Sequence, residues 1–355
     1  MKTIARERLV SDLLCLGIAP GDCVMLHSSL SRIGHVDGGA ATVVEAFLNA
    51  VGEEGTLLTP AFTEGAWVEH LAMPDCRDVC PQPLCPSTFP SHEGAIPNAA
   101  LNRPGRLRSC HPTHSWVANG ADAYEVLKDH MHSPSICGSG NPFEGLCERD
   151  GCIVTLGVGV DRITLWHYFE DLTDAPYKGH YHEQERHLSY CTAGRRIQYE
   201  FPGVIQDVIR ASGIMRFGKV GRAEAGLIKA RQFRRFLATV MTADPYCMIL
   251  RPPDRENGNI AEDAMMKAAA MLQAWRDAAR EPPPNVHWYP GKDDDCVRED
   301  CPAFAGFHNA ETGSIPLCRA NGRHPDFFRQ GGAFAENGPT TCGRCPWHHR
   351  FPKGD

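Results

Sequence analysis

No stretch of this 355-residue chain is apolar for long enough to cross a membrane as a helix, which takes about 20 consecutive apolar residues. At the N-terminus, Met1 to Gly17 holds only a short apolar stretch, Leu13 to Leu16, with Arg6, Glu7, Arg8 and Asp12 upstream of it. That is not a secretory pattern, and a cytoplasmic protein is expected. Positive charge is not in surplus either. Thirty-six Lys and Arg stand against 43 Asp and Glu, a formal charge of −7, which argues against nucleic acid and anionic membranes as partners and favours a neutral or cationic ligand. No Gly-x-Ser-x-Gly elbow precedes a helix, so a serine hydrolase is disfavoured. Aliphatic residues are scarce after Pro284. Cysteine is plentiful, at 16 residues. In a reducing compartment these point to metal ligands or small buried hydrophobes rather than to disulfides.

What is present reads as α/β from the outset. A helix is expected from Ala5 to Leu16, stopped by Gly17, and a buried strand at Cys23–Leu26 that runs into the polar loop His27-Ser-Ser-Leu-Ser31. Hydroxyls at the C-terminal end of a strand sit where open α/β sheets bind ligands, and phosphates suit them. Val43, Val44, Phe47, Leu48 and Val51 recur at helical spacing, Gly52 ends that helix, and Thr56–Thr59 is the next strand. The opening 60 residues are thus expected to form a βαβ unit with a parallel sheet. From Phe62 to Ala95 the pattern is irregular, and Cys76, Cys80 and Cys85 could hold a metal only with a fourth ligand such as His92 or Cys110; incidental thiols in a loop are the plainer reading. His111 and His114 lie in a polar segment that leads into an extended one. They suit loop hydrogen bonding or ligand contact better than metal.

Chemistry concentrates in Cys152–Glu170. The β-branched run Cys152–Leu156 reads as a buried strand, Gly157 and Gly159 permit a sharp turn, and a helix is expected from Arg162. His167 and Glu170 then share one helix face, where a carboxylate can fix the imidazole tautomer and stabilise the imidazolium of a general base. A solvated surface pair has the same spacing. Beyond them, Asp171–His187 is crowded with acidic residues and histidines, which suits a polycationic substrate or a solvated loop. Further helices are expected at Gly203–Ala211 and Arg231–Met241, the latter with Arg231, Arg234 and Arg235 exposed, and extended segments at Ile197–Phe201 and Gly226–Ala230.

A Pro-, Gly- and Asn-rich boundary at Arg251–Asn259 separates a domain spanning residues 1–250 from a linker and helix, 251–285, and a Cys/His-rich segment, 286–355. That last segment carries Cys296, Cys301, Cys318, Cys342 and Cys345. With so few aliphatic residues, metal is expected to supply its folding free energy. Four thiolates suit zinc, whereas Pro after Cys301 and Cys345 also fits an iron–sulfur ligand run.

Six segments occur in a characteristic order: Gly21-Asp-Cys-Val-Met-Leu-His-Ser-Ser-Leu-Ser31, Val36-Asp-Gly-Gly-Ala40, Gly52–Thr63, His111-Pro-Thr-His-Ser115, Leu156-Gly-Val-Gly-Val-Asp161 and Leu165-Trp-His-Tyr-Phe-Glu170. Together with Gly218–Ala225 they resemble the aminoglycoside 3-N-acetyltransferase family from about Gly21 to Met241. The resemblance implies an α/β sandwich of that family's type and acetyl-coenzyme A as donor. It also implies His167 as general base, Glu170 as its orienting carboxylate and Asp161 as a further member of the network. Ser28, Ser29, Leu30 and Ser31 would contact coenzyme A, and His111 and Ser115 would line the same cleft. The Cys76/Cys80/Cys85 loop and the Cys-rich C-terminal segment depart from the family pattern. The expected acceptor is an amine of a 2-deoxystreptamine aminoglycoside; the alternatives are another amine in a biosynthetic pathway, or a non-enzymatic metal-binding or sensing protein that keeps the fold only as a binder.

Overall fold

A computed structural model describes residues 3–63, 84–85, 88–111, 114–130, 133, 137–138, 140–172, 202–247, 260–280, 304–310 and 313–318. The chain divides into two compact units, one formed by Met1–Ile136, Gly140–Ile163 and Gly213–Gln232, the other by Cys137–Ser139, Thr164–Ser212 and Phe233–Asp355.

The first unit is built on β1 (Cys23–Ser28), β2 (Thr56–Pro60), β3 (Leu107–Arg108), β4 (Trp116–Gly120), β5 (Cys152–Leu156), β6 (Met215–Val220) and β7 (Ala223–Lys229). They form one sheet in the order β3-β4-β2-β1-β5-β7-β6. Its helices are α1 (Arg6–Leu16), α2 (Leu30–Ile33), α3 (Gly39–Val51), α4 (Ala95–Leu101), α5 (Ala123–Leu127) and α6 (Pro142–Glu148). The expected βαβ opening is present: α1 ends at Gly17 in the left-handed region (φ 117°), and β1 pairs in parallel with β2. Beyond that opening unit the sheet is mixed. Only β2, β1 and β5 run parallel; β4, β3, β7 and β6 join antiparallel on the two flanks. Strand β6 was not foreseen, because Arg216, Gly218 and Lys219 interrupt any apolar alternation. It is an edge strand, where charges of this kind discourage pairing with another chain.

Alternation along the strands separates the two faces. Val24, Leu26, Leu57, Val117, Val154 and Leu156 belong to one core cluster with Leu9, Leu13 and Leu16 of α1 and Val43, Val44, Phe47 and Val51 of α3. Met25, Leu58, Ile153 and Trp116 alternate with these and are equally buried. The apolar stripe of α3 therefore lies on the sheet, as its spacing requires.

The second unit contains α7 (Leu165–Leu172), α8 (Pro202–Ser212), most of α9 (Ala230–Ala243), α10 (Ile260–Arg280) and the hairpin β8 (Phe304–Ala310)/β9 (Gly313–Cys318). The helix expected from Arg162 is interrupted. Val160–Arg162 form a 3-10 turn, Ile163 is extended, and the α-helix starts at Leu165. Helices α8 and α10 pack together, and Trp275 Nε1 donates to Ser212 O at 3.2 Å. Phe233, Phe236, Leu237 and Val240 are buried as expected, but Arg234, taken as exposed, is buried with them. Ala230, Ala238 and Met241 are buried too, so α9 is covered around most of its circumference and its arginines do not share one solvent face. The expected strand Ile197–Phe201, the acidic stretch beyond Leu172 and the linker at Arg251–Asn259 lie outside the described residues.

Gly120 closes β4 with φ +136°, and a Cβ there would stand 2.1 Å from Gly55 O and 2.6 Å from Thr56 Cα. Gly213 also has positive φ, but nothing lies within 4 Å of its missing Cβ. Gly120→Ala is therefore expected to lower the unfolding free energy by about 2 kcal/mol or more, against about 1 for Gly213→Ala, in urea titrations. Equal losses would show that backbone conformation alone sets the cost.

Candidate active site

In the first unit, site geometry starts where β1 ends. Ser29 N donates to Leu156 O at 2.9 Å, so the β1–β5 ladder continues past the strand, and Arg32 N donates to Ser29 O as the chain turns into α2. Ser29 Oγ and Ser31 Oγ lie 3.2 Å apart. Gly157 lets this turn come close: its φ is +71°, and a Cβ there would be 2.6 Å from Arg32 Cβ and 3.2 Å from Ser29 O. The hydroxyls of the Ser28–Ser31 segment are thus gathered at the C-terminal edge of the parallel strands. Leu30 packs against the core cluster, so its side chain anchors the turn.

One residue earlier, His27 is buried edge-on against Trp116, with ring centroids 5.9 Å apart. Burial pushes its pKa down from 6.5 to about 4, so it is a neutral ring and no base for a substrate near neutrality.

His111, His114 and Ser115 sit between β3 and β4, all buried. His114 N donates to His111 Nδ1 at 2.9 Å, which places the proton of the neutral His111 ring on Nε2. His111 stacks on His130 at 4.9 Å, and His130 Nδ1 lies 2.8 Å from Ser109 Oγ, which also accepts from Trp116 N. Ser115 Oγ accepts from Arg108 Nε at 2.7 Å and donates to Ala61 O at 3.1 Å. The three polar residues singled out from sequence are therefore engaged with their surroundings. Arg108, His130 and Ser109 were missed, because their roles depend on partners distant in sequence. Asp161 pairs with its neighbour Arg162 at 3.3 Å in the 3-10 turn.

In the second unit, α7 brings His167 and Glu170 together as its spacing requires: Nδ1 and Oε2 are 2.5 Å apart. The carboxylate can only accept, so Nδ1–H donates and Nε2 is left as the basic nitrogen. Glu170 is almost wholly buried, at 2% side-chain exposure, whereas His167 retains 16%. Solvent therefore competes little for the carboxylate, yet the ring can still be reached. Trp166 and Phe233, 5.2 Å apart and edge to face, hold the same helix.

Cysteine nucleophiles gain no support among the buried thiols. Burial pushes Cys23 up to about 12 and Cys152 up to about 11, and it raises Cys247 further, with the nearby Asp244 and Glu170 carboxylates adding to the effect. Among the described residues no group of three or more Cys, His, Asp or Glu is arranged to hold a metal ion. Cys85 is a free buried thiol. Cys76, Cys80, Cys296, Cys301, Cys342 and Cys345 lie outside the described residues, and Cys318 is known only as the end of β9. No described helix is long and apolar enough to cross a membrane.

His27 also leaves a signature on stability. Its folded pKa of about 4 lies below the unfolded 6.5, so the unfolded chain binds more protons in that window; stability is full above pH 6.5 and falls as pH drops towards 4. The loss between pH 7 and pH 5 from this residue is expected to be about 2 kcal/mol, and His27→Leu should remove that part of the pH dependence in urea titrations. An unchanged pH profile in the variant would refute the assignment.

The family model described as aminoglycoside 3-N-acetyltransferase matches residues 25–242. Aminoglycoside N(3)-acetyltransferase VIII of Streptomyces fradiae is 32% identical over 279 residues, covering 66% of this chain and 90% of its own. Aminoglycoside N(3)-acetyltransferase III of Serratia marcescens is 34% identical over 209 residues, 57% of this chain and 70% of that one. Among solved structures, the aminoglycoside acetyltransferase AAC(3)-IVa apoenzyme superposes with a TM-score of 0.59 at 25% identity, covering 75% of this chain and 99% of its own. AAC-IIIb in its binary complex with CoASH does so at 0.56 and 27%, covering 71% and 100%. The mixed sheet and the ordered motifs agree with these likenesses, and the chain belongs to the aminoglycoside 3-N-acetyltransferase family, a family of acetyltransferase enzymes.

Proposed function

We propose that this enzyme transfers the acetyl group of acetyl-coenzyme A to an amine of an aminoglycoside, with His167 as general base. The observation that carries the reading is the 2.5 Å hydrogen bond from His167 Nδ1 to the buried Glu170 carboxylate, which leaves Nε2 to take a proton and stabilises the imidazolium that results. The acceptor amine gives up a proton to Nε2 and attacks the thioester carbonyl directly. Collapse of the tetrahedral intermediate breaks the C–S bond, and the thiolate of coenzyme A leaves and takes up a proton. Backbone amides stabilise the oxyanion, and no protein nucleophile is needed. Ser28, Ser29 and Ser31, with the Leu30 backbone, are assigned to coenzyme A. His111 and Ser115 shape the same donor site, and Asp161 joins the network around the base. The support for these residues is family resemblance together with the turn geometry of β1 and β4. A cationic acceptor fits the formal charge of −7.

Thiol release from acetyl-coenzyme A, measured with 2-deoxystreptamine aminoglycosides and a panel of other amines, tests this directly. His167→Ala is expected to lower turnover by about 100-fold or more, and Glu170→Gln by less, since the imidazole survives without its charged partner. Turnover near wild type in His167→Ala would remove the base from the mechanism, and activity confined to other amines would replace the acceptor.

We also propose that residues 1–250 are the catalytic part, joined through 251–285 to a segment, 286–355, in which four of Cys296, Cys301, Cys318, Cys342 and Cys345 hold one zinc ion. The support is thiol spacing and the shortage of aliphatic residues there. Elemental analysis of purified protein should give about one zinc per chain. Brown protein with iron and acid-labile sulfide would favour a cluster, and metal-free protein with a protease-resistant tail would refute both.

A further inference from the structure

Arg108 is among the largest fully buried side chains, at 1% exposure. Its guanidinium donates from Nε to Ser115 Oγ at 2.7 Å, from Nη1 to Phe89 O at 3.0 Å and from Nη2 to Ala61 O at 3.0 Å. Ser115 Oγ donates to the same Ala61 oxygen, closing a ring of three residues. Its position in the sheet explains why it is needed. Ala61 N donates to Ser115 O at 2.8 Å, which carries the β2–β4 ladder one rung past the Pro60–Trp116 pair. The ring braces that last rung, because both of its backbone partners, Ala61 and Ser115, belong to it. Ala61 follows directly on the C-terminal end of β2, and β2 pairs with β1, whose own end carries Ser28–Ser31.

Burying a charge is costly even when it is hydrogen-bonded, so stability alone is a weak reason for a guanidinium at this position. What the guanidinium adds is direction: five donors in one rigid plane. We infer that Arg108 is a positioning residue for the donor site, acting through Ser115 and Ala61 to hold His114 and Ser115 beside the C-terminal end of β2. Ser115 is its relay, since a hydroxyl held by Arg108 and Ala61 acts through the backbone it fixes. The inference rests on the reading that His111–Ser115 faces coenzyme A.

Lysine keeps the charge but not the fork. Arg108→Lys is expected to raise the KM for acetyl-coenzyme A by about tenfold, while kcat per folded enzyme and the KM for the amine change by less than about threefold. Ser115→Ala should shift the same constant in the same direction. Because the two side chains share one ring, the double variant should cost less than the product of the single effects. Melting temperatures are read in parallel. A purely structural role would lower them and leave the donor KM in place, and that result would overturn the inference. Should Arg108→Lys fail to fold, the donor KM of Ser115→Ala decides. Wild-type protein that releases no thiol from acetyl-coenzyme A would overturn the donor reading together with this inference; active wild type with an unmoved donor KM in Ser115→Ala and Arg108→Lys would overturn the inference alone.

Discussion

Parallel pairing of β1 with both of its neighbours is the constraint on which the first unit depends. Five consecutive residues of β1, Val24 to Ser28, are in register with Cys152 to Leu156, and Cys23 to Met25 with Thr56 to Leu58. Parallel neighbours cannot be joined by a hairpin, so chain must cross over, and α3 with its apolar stripe is that crossover between β1 and β2. The arrangement also sends the C-terminal ends of β1, β2 and β5 in one direction. The Ser28–Ser31 turn, the Ala61 carbonyl and Gly157 all follow from that shared direction.

The antiparallel flanks do a different job. They finish the sheet with short connections, the β6–β7 turn at Gly221–Arg222 among them, and β4 returns the chain beside β2. Polar side chains there bond to backbone that lies far away in sequence, as Arg108 does to Ala61 and Phe89. The first unit is thus an apolar α/β core with a polar lattice at one margin.

Elements with a strong local pattern were legible in the sequence to within a residue or two. For α1 and α3 a helical segment and a terminal glycine agree, and for β1, β2 and β5 an apolar run ends at a turn signal. Strand β6 was not legible, because an edge strand paired on one side tolerates cations and glycine. Arg234 was misread because its burial depends on what surrounds α9 rather than on α9 itself. In the candidate site, His167 and Glu170 could be paired from spacing alone, since three residues on a helix is a geometric relation. Arg108, Ser109 and His130 could not, because these bonds span between 7 and 47 residues of chain: Ser109 to Trp116 and His130, Arg108 to Ser115, Phe89 and Ala61.

The buried thiols bear on redox chemistry. Thiol–disulfide exchange proceeds through the thiolate, and a group titrating at about 11 is ionised in only about one molecule in ten thousand at pH 7. Cys152, Cys23 and Cys247 are also buried, so neither charge nor access favours attack on a small-molecule disulfide. Mixed disulfides and alkylation at these three positions therefore have to wait for local opening of the chain, and their modification rate is a clock for that opening.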